Sequence, residues 1–403
     1  MPTSRAASER PAIGLVLTGG GARAAYQAGV LSGVMDILDP QRRPGFRSPF
    51  PIITGTSAGA INATALASRA HQPHRAVDHL TALWSSLRTH NVYYADAPRL
   101  LRTGLQWLGM LGLGWIAPRL NVYAPHSLLD NSPLADLLAR TVNFERLRLN
   151  LARGHLSAIA VTATAYTTGE HLTFYQSHET IKPWTRSLRR AVACPLGVDH
   201  LLASSAIPFV FPARAVLVGD STLWCGDGSM RQLAPMSSAI HLGAERIFVV
   251  GTNYHDEIYP SVHELNPAYP NLAQIAGHTL SNIFLDGVSM DMERMARINE
   301  LLARCPPNGL KSESLRPIRS LMIAPSRPLD DLAMTHLQEL PRAARTLFRV
   351  LGVSPRQARV GSGSLVSYLL FEAGYTQDLI ALGRADSMSR AGEVEAFFKE
   401  WSE

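Results

Sequence analysis

The sequence predicts an α/β protein with a mainly parallel central sheet flanked by helices on both faces. Three observations predict it. Residues 12–18, 51–54 and 246–251 are short apolar runs without polar alternation, the pattern of strands buried on both faces. Stretches with helical spacing separate them, which implies crossover connections. Glycine-rich turns at 19–21 and 55–59 carry a strand directly into a helix. With 403 residues, 46% hydrophobic and 17% charged, the chain has enough material for one large domain or two.

In order, residues 12–18 form the first strand and Gly19-Gly20-Gly21-Ala22-Arg23 the loop after it. Tyr26, Val30, Val34 and Leu38 mark a helix over 24–38. Residues 51–54 end a strand, 60–70 read as its following helix, and 71–90 as another, with Val77, Leu80, Leu83, Trp84 and Leu87 on one face. Residues 105–116 are apolar nearly throughout, interrupted by Gly109, Gly112 and Gly114, and are expected to form a mobile lid or membrane-docking flap over Ser57 within an insertion at 98–120, the alternative being a buried helix-loop packed on the main domain. Ser132 and Pro133 start a helix as N-cap and first-turn proline. Residues 156–166 and 171–176 read as paired strands, 199–212 as a short helix ended by Pro208, and 216–218 and 223–225 as brief strands. A helix over 235–242 and the strand 246–251 follow. A long helix covers 271–303, with Met290, Met292 and Met295 in the core. The chain then runs through strand 320–324 to helices near 331–351 and 363–382.

Chemistry concentrates in two turns. Gly55-Thr56-Ser57-Ala58-Gly59 is G-x-S-x-G between a strand and a helix, the setting of a nucleophile elbow that presents Ser57 at its tip. The Ser57 N–H, at a helix start, is expected to favour a developing oxyanion. The motif alone also suits an ordinary turn. The loop 19–21 offers free N–H groups to an anion, but it lacks the spacing of a dinucleotide or P-loop site. A serine needs a base. Asp227, between Gly226 and Gly228 at a strand end, is the first candidate, and Asp286 within the long helix is a weaker one. A triad would need His255 or His278. A non-catalytic lipid- or nucleotide-binding protein, using the glycine loop alone, is the third reading.

The set Gly19-Gly20-Gly21-Ala22-Arg23, Gly55-Thr56-Ser57-Ala58-Gly59 and Asp227-Gly228 resembles the patatin-like phospholipase family, whose members carry a GGGxR/K loop, a GxSxG elbow and a DG[GA] motif. Residues 203–212 (ASSAIPFVFP) and 130–134 (DNSPL) resemble two further segments of that family. The likeness covers about residues 12–251 and departs at Ser229, where the family has Gly or Ala. It implies a patatin-like three-layer arrangement with a helical C-terminal extension. It also implies a serine lipid acyl hydrolase acting through a Ser57–Asp227 dyad, without histidine, metal or cofactor. Gly19, Gly20, Gly21 and Arg23 would form the oxyanion loop, with Arg23 fixing the loop or meeting a headgroup phosphate; Gly55 and Gly59 would shape the elbow, and phospholipid or lysophospholipid would be the substrate.

The remaining features fix context. Residues 303–360 hold ten Lys/Arg against four Asp/Glu, a local excess equal to the net +6. That charge suits an anionic lipid surface, while zinc-finger spacing, an RNP-like pattern and long basic runs, which would point to nucleic acid, are missing from the sequence. Cys194, Cys225 and Cys305 are too few and too scattered for a disulfide framework or zinc site. The start of the chain lacks a signal-like apolar core, and no stretch reaches ~20 apolar residues. The expectation is a cytoplasmic protein with peripheral membrane contact. Its expected organisation is a disordered tail at 1–11, a catalytic domain at 12–255 and a helical region at 256–403 that completes it.

Overall fold

The computed structural model describes residues 12–113, 126–254, 272–304, 315–353 and 363–402, side chains 107–113, 272–273, 283–286 and 400–402 excepted. The N-terminal half runs β1 (Ile13–Leu17), α1 (Ala25–Leu38), β2 (Ile52–Thr56), α2 (Ala58–Ala67), α3 (Pro73–Ser86), α4 (Thr89–Val92), α5 (Ala97–Leu113), α6 (Ser132–Thr141) and α7 (Phe144–Ala152). Next come β3 (Ala158–Ala165), β4 (His171–Ser177), β5 (Thr185–Arg186), β6 (Arg189–Ala193), α8 (Val198–Ser204), β7 (Arg214–Val218), β8 (Ser221–Asp227), α9 (Ser237–His241) and β9 (Arg246–Val250). The chain continues as α10 (Leu272–Arg304), β10 (Arg319–Ile323), α11 (Leu329–Thr335), α12 (Arg342–Val350), α13 (Gly363–Leu369), α14 (Ala373–Ser389) and α15 (Ala391–Ser402).

These strands form one sheet in the order β10-β9-β1-β2-β3-β4-β6-β5, with β8 also on β3 and β7 on β8. From β10 to β3 all pairs are parallel. β1, β2, β3 and β9 are buried along their whole length, as their unbroken apolar runs require. The far side turns antiparallel at β3–β4 and β5–β6. β2 pairs β3 as far as Thr56 beside Thr162, and β8 pairs β3 from Ala163 beside Asp227 onward. β4 occupies the opposite edge of β3. β8 therefore continues the edge that β2 vacates, and the residues after Thr56 meet Asp227 head-on.

Several sequence expectations change. Asn131, not Ser132, occupies the N-cap position of α6. The helix expected over 199–212 is the shorter α8, and β5, β6 and α7 were missed. Two arginines, Arg189 and Arg190, hide the strand pattern of β6. Met295 is buried, whereas Met290 is exposed. Residues 105–113, expected as a glycine-hinged flap, continue α5 as regular helix. Residues 1–11, 114–116, His255 and the Asp286 side chain lie outside the described residues. The strand expected at 320–324 in the C-terminal region is β10, and it extends the parallel sheet.

That region also covers α1. α1 and α14 approach backbone to backbone because a Cβ on Gly383 would overlap the Tyr26 carbonyl oxygen, and one on Gly29 the Ile380 carbonyl oxygen. Tyr26 Oη donates to Asp386 Oδ2 at 2.9 Å across the same contact. Gly383→Ala is expected to force the helices apart and lower unfolding stability by ~1–3 kcal/mol. Denaturant unfolding measures this, and an unchanged midpoint would mean the contact yields at no cost.

Candidate active site

Both key loops leave the sheet at the carboxyl end of parallel strands, where Leu17 pairs Gly55 in register. This is the edge at which open α/β sheets place their sites. The turn from β2 into α2 holds Ser57 at φ 55° and ψ −129°, a left-handed conformation for a residue with a side chain. Such backbone costs of order 1–3 kcal/mol and is the sharp turn that an elbow requires. Gly59 makes the turn possible, because a Cβ there would overlap the carbonyl oxygens of Leu17 and Thr18. A Cβ on Gly55 would likewise strike the Gly59 carbonyl.

Ser57 Oγ donates to Asp227 Oδ2 at 2.6 Å, and both residues are buried. Asp227 Oδ1 accepts the Ser229 N–H at 2.9 Å. The flanking glycines let the carboxylate in: a Cβ on Gly228 would overlap the Thr162 carbonyl oxygen, and one on Gly226 the Tyr166 hydroxyl. Burial pushes the Asp227 carboxyl up to about 6, and hydrogen bonds from Ser57 and Ser229 oppose the rise. The carboxylate is thus a stronger base than one in water while staying ionised at neutral pH. Ser229 is buried beside the pair.

The Ser57 N–H is not free for an oxyanion, contrary to the sequence expectation. It donates to Ser204 Oγ at 2.8 Å, and Ser204 is fully buried. Two residues on, the Ala206 carbonyl accepts the Asp227 N–H at 3.0 Å. The segment after α8 therefore holds the backbone of both members of the pair. Sequence reasoning missed this role. The segment's likeness to a family block was its one signal, and a hydroxyl acting as acceptor for a backbone N–H leaves no spacing rule.

The glycine loop leaves β1 next to the elbow, since the Leu17 and Thr18 carbonyls lie against Gly59. Gly19 and Gly20 use their carbonyls, accepting from Thr252 Oγ1 at 2.6 Å and from the Arg23 N–H at 3.1 Å. Among the described residues, the N–H groups of Gly19, Gly20 and Gly21 have no hydrogen-bond acceptor. Gln27 and Asn62 fix the loop's helix to α2: Asn62 Nδ2 donates to Gln27 Oε1 at 2.9 Å and to the Ala24 carbonyl at 3.0 Å.

Arg23 reaches toward the C-terminal region. Its Nε donates to Ser367 Oγ at 2.8 Å and its Nη1 to Asn253 Oδ1 at 2.6 Å, while Nη2 pairs with Asp330. The Tyr368 ring lies 4.0 Å from the guanidinium carbon. A buried cation with every nitrogen engaged anchors the loop to α11 and α13. Of the alternatives, His278 is exposed and bonds Asn282. Among the described residues, Ser57 and Asp227 have no histidine partner, and no group of three or more metal-ligating side chains occurs. No helix of the described residues is long and apolar enough to cross a membrane.

No curated protein matches this chain in sequence. Among solved structures, VipD from Legionella pneumophila is similar at 14% identity and TM-score 0.34, over 93% of this chain and 67% of that one. A chain of the full-length SpcU–ExoU complex from the type III secretion system of Pseudomonas aeruginosa is similar at 17% identity and TM-score 0.26, over 85% and 61%. This chain thus spans about two thirds or less of their length. The family profile described as patatin-like phospholipase matches residues 15–240, which hold the glycine loop, the elbow and Asp227. With more than half of its length matched, this chain belongs to the patatin-like phospholipase family, a family of lipid ester hydrolases.

Proposed function

We propose that the protein cleaves fatty-acyl esters of phospholipids or lysophospholipids through a Ser57–Asp227 dyad. The observation that carries this reading is the 2.6 Å hydrogen bond between a strained, buried serine and a desolvated carboxylate. Ser57 Oγ attacks the ester carbonyl carbon as its proton passes to Asp227. The tetrahedral oxyanion is held by the N–H groups of Gly20 and Gly21. The intermediate then expels the alcohol, which takes the proton from Asp227, and leaves an acyl-enzyme. Asp227 next accepts a proton from water, whose oxygen attacks the acyl carbon; the Ser57 Oγ–acyl bond breaks, the proton passes from Asp227 to Ser57 Oγ, and the fatty acid is freed. Residues 12–255 would carry these groups, and 256–403 would complete the unit by anchoring Arg23.

The dyad predicts that Ser57→Ala and Asp227→Asn fold yet lose about 10²–10⁴-fold in kcat on a soluble ester. Near-normal turnover by Asp227→Asn would remove Asp227 from the mechanism. The pH profile follows from the carboxyl at about 6. The base works ionised, so kcat/KM should rise as pH increases through about 6 and then level off. Stability runs the opposite way. The folded state holds the Asp227 proton more tightly than the unfolded chain, so ionisation costs stability as pH rises from the ordinary carboxylate range toward 6. Asp227→Asn should therefore match or exceed the parent Tm at pH 8.

Ser204 gives a further test. Ser204→Ala leaves the Ser57 N–H buried without an acceptor, a cost of ~1–3 kcal/mol concentrated at the elbow. Turnover should fall about tenfold or more while KM stays near the parent value. Unchanged kcat would mean that the elbow holds Ser57 without this bond.

A further inference from the structure

The segment that steadies the dyad also reaches the surface. Beyond Ser204 and Ala206, Phe209 adopts φ 64° and is 78% exposed. A bulky residue held in left-handed backbone is costly, and here the conformation displays an apolar ring to water instead of burying it. Two hydrogen bonds enforce the geometry: the Leu128 and Leu129 N–H groups donate to the carbonyls of Phe209 and Val210 at 2.8 and 2.9 Å. Val210 faces inward and lines an apolar cavity with Leu100 of α5 and with Leu347 and Leu351 of α12 and its C-cap. The segment carrying Phe209, α5 and α12 thus pack around one cavity.

The outer faces of α5 and α12 are apolar and basic. α5 exposes Leu101 (66%) and Leu105 (59%), and α12 exposes Val350 (77%). The two helices carry Arg99, Arg102, Arg342, Arg345 and Arg349 and no Asp or Glu. Arg99 is paired with Asp96 and Asp130 of adjoining loops, and Arg345 donates to Gln338, while Arg342 and Arg349 stand exposed. Exposed apolar side chains together with the exposed Arg342 and Arg349 match the two layers of a membrane surface, acyl boundary and anionic headgroups.

We propose that Phe209, Leu101, Leu105 and Val350 form a docking face for an anionic lipid bilayer. The apolar side chains enter the headgroup region, and Arg342 and Arg349 meet lipid phosphates. This rests on the reading above that the substrate is a lipid ester, and it adds where the enzyme meets the membrane holding that lipid. The segment 204–211 then links the bilayer contact to the backbone of Ser57 and Asp227.

The test uses the full chain with phosphatidylcholine vesicles, with and without phosphatidylglycerol. The parent protein should co-sediment better with the anionic vesicles, and less as salt rises. Phe209→Asn removes the ring, and asparagine accepts positive φ more readily than phenylalanine, so Tm should not fall. Vesicle affinity should drop at least about tenfold, as expected for losing one large buried apolar group. Arg342→Ser with Arg349→Ser should abolish the preference for phosphatidylglycerol. Parent-like vesicle binding by Phe209→Asn overturns the proposal. Hydrolysis of a soluble short-chain ester without vesicle binding overturns docking alone, whereas vesicle binding without any Ser57-dependent ester hydrolysis overturns the enzymatic reading and leaves docking standing.

Discussion

A hydroxyl and a carboxylate 2.6 Å apart, both sealed from water, demand that two stretches of backbone come closer than side chains ordinarily allow. Much of the surrounding architecture serves that approach. β2 stops at Thr56 and β8 takes over the same edge of β3, so their ends face each other. Glycine at 55, 59, 226 and 228 removes the Cβ atoms that would keep elbow, helix and carboxylate apart. The desolvation that makes Asp227 a useful base opposes its ionisation, and only the Ser57 and Ser229 donors offset it. Catalytic fitness and local stability are in tension at this residue.

The adjoining glycine loop depends on a cation. Arg23 lies in that loop, next to the elbow, but its partners come from Asn253, Asp330 and Ser367. Asp330 is itself held by Ser364 and Ser367 hydroxyls at 2.6 and 3.1 Å. A lone buried guanidinium would be strongly destabilising, so the loop and the C-terminal helices stabilise one another or neither is well placed. This makes the region beyond the family match part of the site's support.

How much of this was readable from sequence follows from the kind of constraint involved. Buried parallel strands advertise themselves as unbroken apolar runs, and the elbow and Asp227 by the glycines that their close approach demands. β6 escaped notice because Arg189 and Arg190 sit at the sheet's less covered end, where burial no longer dictates composition. Ser204 was invisible because an acceptor for a backbone N–H needs only a hydroxyl at the right place in space. Arg23 was recognised as belonging to the loop, but its direction was not, since Ser367 lies 344 residues away. The N-cap of α6 moved by one residue because Asn131 and Ser132 are both good caps and Pro133 is tolerated behind either.

The span of the Arg23 clamp has a temporal side. Synthesis proceeds from the N-terminus, so a nascent chain presents the glycine loop, the elbow and Asp227 well before residues 330 and 367 exist. Until they arrive, Arg23 lacks its carboxylate, β9 lacks its outer neighbour β10, and α1 lacks the helix that covers Gly29. Contacts of such long sequence separation form late and slowly. The nucleophile and base are thus made early, while the loop next to the elbow is fixed among the last events of folding.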